Sequence, residues 1–279
     1  MIHFKTRFLQ FLEKNLGLAP RNRETMNILD RSYTVLAGSV RTDDYDDAWL
    51  LALGLNSKVV FDIGCNIGQS SLLTLYSPTI QQIVLVDPNP AALSVGAENL
   101  ITYGFSIKSR FVCAFASDKD DEKIEFFTVG AGAAGSMFRT HAVTAGDLDS
   151  STLVPTLTID SLSEKLSLVP DLVKLDVEGA ERLALAGATK IASKQATSFM
   201  VEMHSSPEMS MATNGQSVLT WCQDNGYKAW YLKDKVELKS VGQIEDRGRC
   251  HLLLLPGAAA FPEYLRHLEQ GAKLEQVKR

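Results

Sequence analysis

Several features that would assign the protein to a class are missing from this 279-residue sequence. Its four cysteines are far apart and form no CxxC or Cys/His pair: Cys65, Cys113, Cys222 and Cys250. A structural zinc site and a disulfide framework are therefore not expected, and scattered thiols are typical of a reducing compartment. No stretch approaches the roughly 20 apolar residues that span a bilayer. Charged residues interrupt the N-terminal apolar stretch, unlike in a signal peptide. We expect a cytoplasmic protein without a transmembrane segment.

A strong positive charge is missing as well. Lys and Arg number 28 against 33 Asp and Glu, so the formal net charge is −5, and no run of basic residues stands out. An acidic chain gains little from neutralising phosphates, which disfavours a nucleic-acid partner. Hydrophobic residues make up 45% of the sequence and charged residues 22%, so an ordinary globular protein with a sizeable core is expected.

Residues 1–56 are predicted to form an N-terminal helical extension. Apolar residues recur at helical spacing between Phe4 and Leu16. This helix is expected to pack on the main domain or on the second subunit of a homodimer, and the alternative is an amphipathic helix on a membrane surface. The acidic run from Asp43 to Asp47 is expected to begin a helix or to face solvent, because nothing else in the sequence supports a metal there.

From Ser57 onward, short β-branched runs alternate with helical stretches at about 67–77, 89–103, 180–192 and 215–225. The predicted strands are Lys58–Ile63, Gln82–Asp87, Ser109–Ala116, Leu172–Val177, Ser198–Met203, Tyr227–Leu232 and His251–Leu255. This alternation implies right-handed crossovers between parallel strands. We therefore predict an α/β fold: a Rossmann-like, doubly wound domain over 57–257 with a mostly parallel seven-stranded sheet. A helical tail is predicted over 258–279.

One interval, residues 117–157, lacks a clear crossover helix. Residues 124–129 and 153–160 are predicted to be extra extended segments, and small residues fill the stretch 130–136. This pattern indicates an insertion between the third and fourth core strands. Such insertions lie at the rim of a sheet, where substrate loops are found.

The strongest motif is VVFDIGCNIGQSS, residues 59–71. A buried strand ends at Asp62, a loop with Gly64, Asn66 and Gly68 follows, and a helix then begins. Glycine lets the backbone turn tightly and approach a ligand, and ligands of open α/β sheets bind at such strand ends. The loop therefore favours a nucleotide-like ligand over a bare turn.

The identity of the ligand depends on Asn66. A dinucleotide fingerprint has glycine at this position to make room for a pyrophosphate, which counts against an NAD-dependent oxidoreductase. S-adenosylmethionine has no phosphate, and Asp62 could face its cationic side. Asp87 ends the next strand and could accept hydrogen bonds from both ribose hydroxyls. A weaker adenine contact is expected around Ser117 and Asp118.

At this point the sequence resembles the FkbM-type methyltransferases over about residues 57–256. The resemblance rests on five segments: VFDIGCNIGQSS (60–71), VDPNP (86–90), TLTIDSL (156–162), PDLVKLDVEGAE (170–181) and VEMH (201–204). It implies an S-adenosylmethionine-dependent transferase, usually one that methylates a hydroxyl of a sugar, polyketide or other small metabolite. It also implies that Gly135 and Ser136 belong to a loop on the substrate side.

Four residues at the ends of the fourth and fifth strands are the catalytic candidates. Lys174 and Asp176 share one face of a strand, as do Glu202 and His204. A buried lysine is costly unless it is paired, so Lys174 is expected to pair with Asp176 or Glu202. Histidine titrates near neutrality and can remove a hydroxyl proton.

Glu178 and Glu181 are expected to stabilise the start of the following helix, because their negative charge interacts favourably with the positive end of the helix dipole.

Two mechanisms stay open from the sequence. In the first, His204 or Asp176 removes the proton of the acceptor hydroxyl and no metal takes part. In the second, Asp176, Glu202 and His204 hold Mg²⁺ or Mn²⁺, which lowers the pKa of the hydroxyl. The first is preferred, since carboxylates at strand ends have other uses. A further alternative is a catalytically inactive protein that binds S-adenosylmethionine or acts as a scaffold.

Overall fold

The predicted alternation of strands and helices is present in the computed structural model, which describes residues 22–131, 135–138 and 142–278. The expected helix between Phe4 and Leu16, with its suggested dimer surface, lies outside the described residues. Within the described residues, no helix combines the length and the hydropathy that crossing a membrane requires.

The elements are as follows in chain order. The strands are β1 (Arg23–Ile28), β2 (Arg31–Leu36), β3 (Val59–Ile63), β4 (Gln82–Val86), β5 (Ser109–Val112), β6 (Phe115–Ala116), β7 (Lys123–Phe127), β8 (Ser151–Leu157), β9 (Leu172–Leu175), β10 (Ser198–His204), β11 (Tyr227–Tyr231), β12 (Val236–Glu237) and β13 (Arg249–Pro256). The α-helices are α1 (Asp47–Leu55), α2 (Gln69–Thr74), α3 (Pro90–Thr102), α4 (Val143–Asp147), α5 (Ile159–Leu166), α6 (Glu181–Ala186), α7 (Thr189–Ser193) and α8 (Met211–Asn225).

The central sheet of the described chain has eight strands in the order β12, β11, β13, β10, β9, β3, β4, β5. The five strands from β10 to β5 are parallel, while β13 runs antiparallel to both of its neighbours. The predicted α/β, mostly parallel fold is confirmed, and the predicted number of seven strands is corrected to eight. The added strand, β12, has only two residues, too few to produce a periodic pattern in the sequence.

Side chains alternate between the two faces of this sheet and build two hydrophobic cores. In β3, Phe61 and Ile63 enter one core, whereas Val60 enters the other. Asp62 follows the same alternation as Val60 and is buried on that second side. The carboxyl ends of the five parallel strands meet at one edge, where open α/β sheets bind their ligands.

The predicted strand Ser109–Ala116 is divided into two. β5 ends at Val112 in the central sheet, and β6 pairs with β8 in a separate three-stranded sheet that also contains β7. A continuous apolar run cannot reveal that the chain leaves one sheet for another. The predicted insertion is present, because β7 and β8 are its two extended segments.

The described part of the N-terminal extension is not entirely helical, which corrects our expectation. β1 and β2 form an antiparallel hairpin, and only α1 is a helix. The hairpin buries alternate residues, among them Met26, Ile28, Tyr33 and Val35, in the same core as Val60. This period of two is the signature of a strand, so the hairpin was readable in the sequence although we predicted a helix.

The expected helical tail is also corrected. After β13 the chain forms two short 3-10 turns, Glu263–Leu265 and Leu274–Gln276, instead of an α-helix. Leu265 and Leu268 are fully buried, and the indole N–H of Trp49 in α1 donates to the carbonyl oxygen of Leu268 (3.1 Å). The tail therefore packs against α1. The domain boundaries at 57 and 257 stay a prediction.

Candidate active site

The glycine loop between β3 and α2 passes directly against the turn that follows β9. Gly64 has a φ of +81°, and a Cβ atom placed on it would lie 1.7 Å from the carbonyl oxygen of Asp176. A side chain at this position would push the two strand ends apart. Position 64 therefore requires glycine for two reasons: the chain turns tightly there, and the backbone of Asp176 lies close by.

Asn66 occupies the position where a dinucleotide fingerprint has glycine. Its φ is +48°, a left-handed conformation that asparagine adopts more readily than most residues. Its side-chain oxygen Oδ1 is buried and has no hydrogen-bond partner within the described part of the chain. A buried carbonyl oxygen of this kind needs a donor, so this atom is suited to an N–H or O–H group of a ligand.

Asp87 at the end of β4 connects this loop to the start of α3. Its carboxylate accepts hydrogen bonds from the backbone N–H of Asn66 (2.7 Å) and of Asn89 (2.8 Å). Burial raises the pKa of Asp87 to about 6, although these two hydrogen bonds oppose the shift. The carboxylate keeps free lone pairs, because each oxygen can accept more than one hydrogen bond.

A first cavity of about 560 Å³, counting its open mouth, lies at these strand ends. Its walls combine the loop residues with apolar side chains: Ile63, Gly64, Asn66, Val86, Asp87, Pro88, Asn89, Ala114, Phe115, Ala116, Phe126, Gly135, Asp176, Val177 and Glu178. Apolar walls with a few convergent polar groups are typical of small-molecule and cofactor pockets.

Asn89 ties the predicted insertion to this first cavity. Its side-chain NH₂ group donates to Oγ1 of Thr128 (2.8 Å) and to the carbonyl oxygen of Gly130 (2.7 Å), while its Oδ1 caps α3. The hydroxyl of Ser136 donates to the carbonyl oxygen of Glu178 (2.9 Å). Asn89 was not among the predicted site residues, and the Asn-Pro pair at the helix start was the only signal for it.

Three of the six predicted cofactor residues, Gly64, Asn66 and Asp87, line the first cavity. The other three, Asp62, Gly68 and Ser117, are not among its described lining residues. Asp62 accepts hydrogen bonds from the hydroxyls of Ser70 (2.7 Å) and Ser71 (2.5 Å) and so secures the start of α2.

Gly68 and Ser117 have structural surroundings of their own. A Cβ atom on Gly68 would lie 3.1 Å from the Cα atom of Gly96, so this glycine allows α3 to pass close by. The hydroxyl of Ser117 donates to Asp118 (3.1 Å), and its backbone N–H donates to the carbonyl oxygen of Leu157. Gly68 therefore serves the packing of α3, and Ser117 joins the chain after β6 to the end of β8.

Lys174 forms the predicted pair with Asp176. Its ammonium group lies 3.1 Å from Oδ2 of Asp176 and 3.7 Å from Oδ1 of Asp62. Burial alone would lower the pKa of Lys174, but the carboxylates of Asp176, Asp62 and Glu202 raise it above its ordinary value. Burial raises the pKa of Asp176 to about 6 in spite of the nearby ammonium group. Lys174 is thus a fixed cation between two carboxylates.

Glu181, which we expected to stabilise a helix start, contacts the Nδ1 side of His204. Nδ1 of His204 lies 3.0 Å from Oε1 of Glu181, which is fully buried and also accepts from the side chain of Asn214 (2.7 Å). Glu181 accepts from the backbone N–H of Gly179 as well, at the expected helix start. Its part in positioning His204 depends on a contact between distant segments, which spacing in the sequence cannot reveal.

Several carboxylates face the other nitrogen of His204. Nε2 lies 3.4 Å from Glu202, 3.5 Å from Glu178 and 4.0 Å from Asp176. Burial would lower the pKa of His204, but hydrogen bonds to Glu181 and Glu202 raise it to about 11. Glu178, which follows the end of β9, therefore also contacts His204.

Glu202 is not a direct partner of Lys174, which corrects one of the two expected pairings. Its Oε1 lies 3.1 Å from Nη1 of Arg249, and its Oε2 lies 3.5 Å from Nε2 of His251. Arg249 and His251 both belong to β13. Neither residue was a predicted site residue, because both lie almost fifty positions after Glu202 and no sequence motif links them to it.

A second cavity of about 700 Å³, counting its open mouth, shares Gly64, Asn66 and Asp176 with the first. It is lined by Arg41, Thr42, Asp44, Asp46, Asp47, Leu50, Gly64, Cys65, Asn66, Ile67, Gln69, Ser70, Lys174, Asp176 and Glu202. Asp44, Asp46 and Asp47 of the acidic run therefore line this cavity. Asp43 and Asp44 are exposed and Asp47 begins the helix, as expected, whereas Asp46 and Asp47 are buried.

A family model of known proteins covers most of the central domain. The sequence model described as the methyltransferase FkbM domain matches residues 62–229. The chain belongs to the FkbM methyltransferase family. This match confirms the resemblance noted in the sequence. No curated protein matches the chain.

Solved structures that match the chain include the following three proteins. An FkbM methyltransferase from Methylobacillus flagellatus KT is 17% identical with a TM-score of 0.45, and the match covers 78% of this chain and 45% of that one. M. jannaschii TYW2 in complex with AdoMet is 10% identical with a TM-score of 0.43 and coverages of 84% and 85%. A precorrin-6y C5,15-methyltransferase from Geobacter metallireducens GS-15 is 14% identical with a TM-score of 0.42 and coverages of 80% and 92%. The chain thus spans less than half of the first of these proteins.

The FkbM domain match covers the residues of the two cavities to different extents. Asp87, Asp176, Glu202 and His204 lie inside the matched range, 62–229. The acidic run that lines the second cavity lies outside this range, as do Arg249 and His251 of β13. The family therefore accounts for the first cavity more completely than for the second.

Proposed function

We propose that this chain is an S-adenosylmethionine-dependent methyltransferase that methylates a hydroxyl of a sugar, a polyketide or another small metabolite. The observation that carries the proposal is that two cavities of different character meet at Asp176. The first is largely apolar, with a carboxylate at the end of β4, and the second is polar. A methyl donor in the first and an acceptor in the second would be held side by side, which is the main contribution an enzyme makes to such a transfer.

The residues of the first cavity fit S-adenosylmethionine. Asp87 would accept hydrogen bonds from the two ribose hydroxyls, and apolar side chains such as Phe115 would enclose the adenine. The unpartnered Oδ1 of Asn66 would accept a hydrogen bond from an amino group of the cofactor. Asp62, Gly68 and Ser117 support this pocket without direct contact. The bound cofactor supplies an electrophilic methyl group.

Asp176 is the general base in this proposal. It lines both cavities, whereas His204 lines neither among the described residues. The carboxylate removes the proton of the acceptor hydroxyl, and Lys174, 3.1 Å away, orients it. His204 lies 4.0 Å from Asp176, and Glu202 contacts the same imidazole nitrogen at 3.4 Å.

A second version of the mechanism includes Mg²⁺ or Mn²⁺. Ligand atoms of Asp176, Glu202 and His204 lie within 4.8 Å of one another, as the ligands of one ion would. Two carboxylates and an imidazole suit such an ion, which would lower the pKa of the hydroxyl. Loss of activity in a chelator with recovery in Mg²⁺ would overturn the preferred metal-free version.

The lining of the second cavity supports a small hydroxylated acceptor and disfavours a nucleic acid. Its charged groups are five carboxylates and two cations, Arg41 and Lys174. This excess of negative charge would repel a phosphate backbone. All four cysteines lie in the described part of the chain and are free, which supports the proposed cytoplasmic location.

The test is calorimetric titration of the purified protein with S-adenosylmethionine, with NAD and an Asp87→Ala variant alongside. We expect binding in the micromolar range, weakened in the variant and absent for NAD. An acceptor screen with and without Mg²⁺ follows. A folded protein that does not bind S-adenosylmethionine would refute the proposal.

The rival candidate is an inactive protein that binds S-adenosylmethionine or acts as a scaffold. Its expected signature is tight cofactor binding without methyl transfer to any acceptor in the screen. The close Lys174–Asp176 pair at the junction of the two cavities favours the enzyme.

A further inference from the structure

Three buried side chains from distant parts of the chain converge beside the second cavity. Asp46 precedes α1, Glu202 lies in β10 and His251 lies in β13. Nε2 of His251 lies 3.5 Å from Oε2 of Glu202 and 3.7 Å from Oδ2 of Asp46. The ligand atoms of all three residues lie within 4.8 Å of one another.

The imidazole of His251 is buried here without a complete set of hydrogen bonds. Its side chain is only 3% exposed, and Nε2 has no hydrogen-bond partner within the described part of the chain. Trp49 packs edge-on against the ring, with 5.9 Å between centroids, and limits its rotation. Nε2 is therefore directed towards two carboxylates at distances too long for good hydrogen bonds.

We propose that Asp46, Glu202 and His251 bind a divalent transition-metal ion such as Zn²⁺, Mn²⁺ or Co²⁺. Imidazole nitrogen and carboxylate oxygen bind such ions at roughly 2.0–2.2 Å. Two ligands of one ion then lie roughly 3–4 Å apart, as Nε2 of His251 does from both carboxylates. An imidazole with two carboxylates favours a transition metal over Ca²⁺, which takes oxygen ligands.

The ion has room for further ligands on one side. Asp46 and Glu202 both line the second cavity, so the open positions of the ion face the space assigned to the acceptor. Oε1 of Glu202 is engaged by Arg249 (3.1 Å), which leaves Oε2 for the ion. Three protein ligands with open positions are typical of metals that also bind a substrate or water.

This site is separate from the Asp176, Glu202 and His204 set, although Glu202 belongs to both. His251 serves only the new site and His204 serves only the other. The two histidines therefore form a matched pair of test positions. Binding of the ion requires no methyl transfer, so it can be tested independently of the proposed function.

The experiment is titration of the chelator-treated protein with Co²⁺ and Zn²⁺. Calorimetry and the visible absorption of bound Co²⁺ are the readouts, and circular dichroism confirms that each variant is folded. The variants are His251→Gln and Asp46→Asn, with His204→Gln as the matched control. We expect saturable binding with a Co²⁺ absorption band in the wild type and in His204→Gln, and affinity at least about tenfold weaker in the other two.

Two outcomes would overturn the inference. One is the absence of Co²⁺ and Zn²⁺ binding to the folded wild type. The other is wild-type affinity in His251→Gln together with loss of binding in His204→Gln, which would place the ion at the neighbouring set. If His251→Gln does not fold, Asp46→Asn decides between these results, because Asp46 is absent from that set.

Discussion

The two cavities are built in different ways, although they share three residues. The first is built from consecutive motifs, since the loop at Gly64 and the strand end at Asp87 supply most of its polar groups. The second draws on the acidic run before α1 as well as on β9 and β10. Ligand contacts that come from one local motif are visible in a sequence, whereas contacts assembled from distant segments appear only on folding.

The largest expected effect separates chemistry from cofactor binding at the junction of the cavities. Asp176→Asn should lower kcat about 10²–10⁴-fold, because it removes the general base. The affinity for S-adenosylmethionine should change little, since Asp87 and Asn66 remain. Steady-state kinetics and calorimetry check the two expectations. A variant with nearly normal kcat would rule out Asp176 as the base and return His204 to consideration.

The next effect tests the backbone contact beneath both cavities. Gly64→Ala should lower the free energy of unfolding by about 2–4 kcal/mol, because the new Cβ meets the carbonyl oxygen of Asp176 and the backbone is left-handed. Gly104→Ala is the matched control. Its φ is +78° with nothing within 4 Å, so it should cost only about 1–2 kcal/mol. Equal costs in urea unfolding would mean that the close approach is unimportant.

A smaller effect is expected where a distant contact positions His204. Glu181→Gln should lower the free energy of unfolding by about 1.5–3 kcal/mol, because a buried charged acceptor of His204 and Asn214 is lost. Glu164→Gln removes the exposed partner of Lys190 and should change stability little. Urea unfolding compares the two, and a small loss in Glu181→Gln would contradict its buried role.

The smallest effect is a pH dependence confined to the first cavity. The pKa of Asp87, raised to about 6 by burial, means that its carboxyl is increasingly protonated as the pH falls below that value. The ionised form accepts the ribose hydroxyls, so affinity for S-adenosylmethionine is full above the pKa and declines below it. Between about pH 7.5 and pH 5 the affinity should fall about tenfold.

Calorimetry at several pH values checks this dependence, with Asp87→Asn as the control. The control should bind weakly at every pH and lack the decline. If it shows the same slope as the wild type, another group is responsible.

The amino-acid sequence by itself determined the fold class, the order of the principal strands and the glycine loop. These features depend on local periodicity and on short motifs, such as the loop with Gly64 and Asn66 and the strand end at Asp87. The sequence also indicated that Lys174 needs a partner, because a buried ammonium group without one is costly. The alternation in the β1–β2 hairpin is local in the same way, and it was readable although we predicted a helical extension there.

Only the tertiary structure decided which groups surround the acceptor side. The roles of Glu181, Asp46 and His251 depend on contacts between segments that are far apart in the chain. The sequence offered two partners for Lys174, and packing selected Asp176 while directing Glu202 towards β13. The physical reason is that local patterns set secondary structure, whereas the meeting of distant side chains depends on how the completed elements pack.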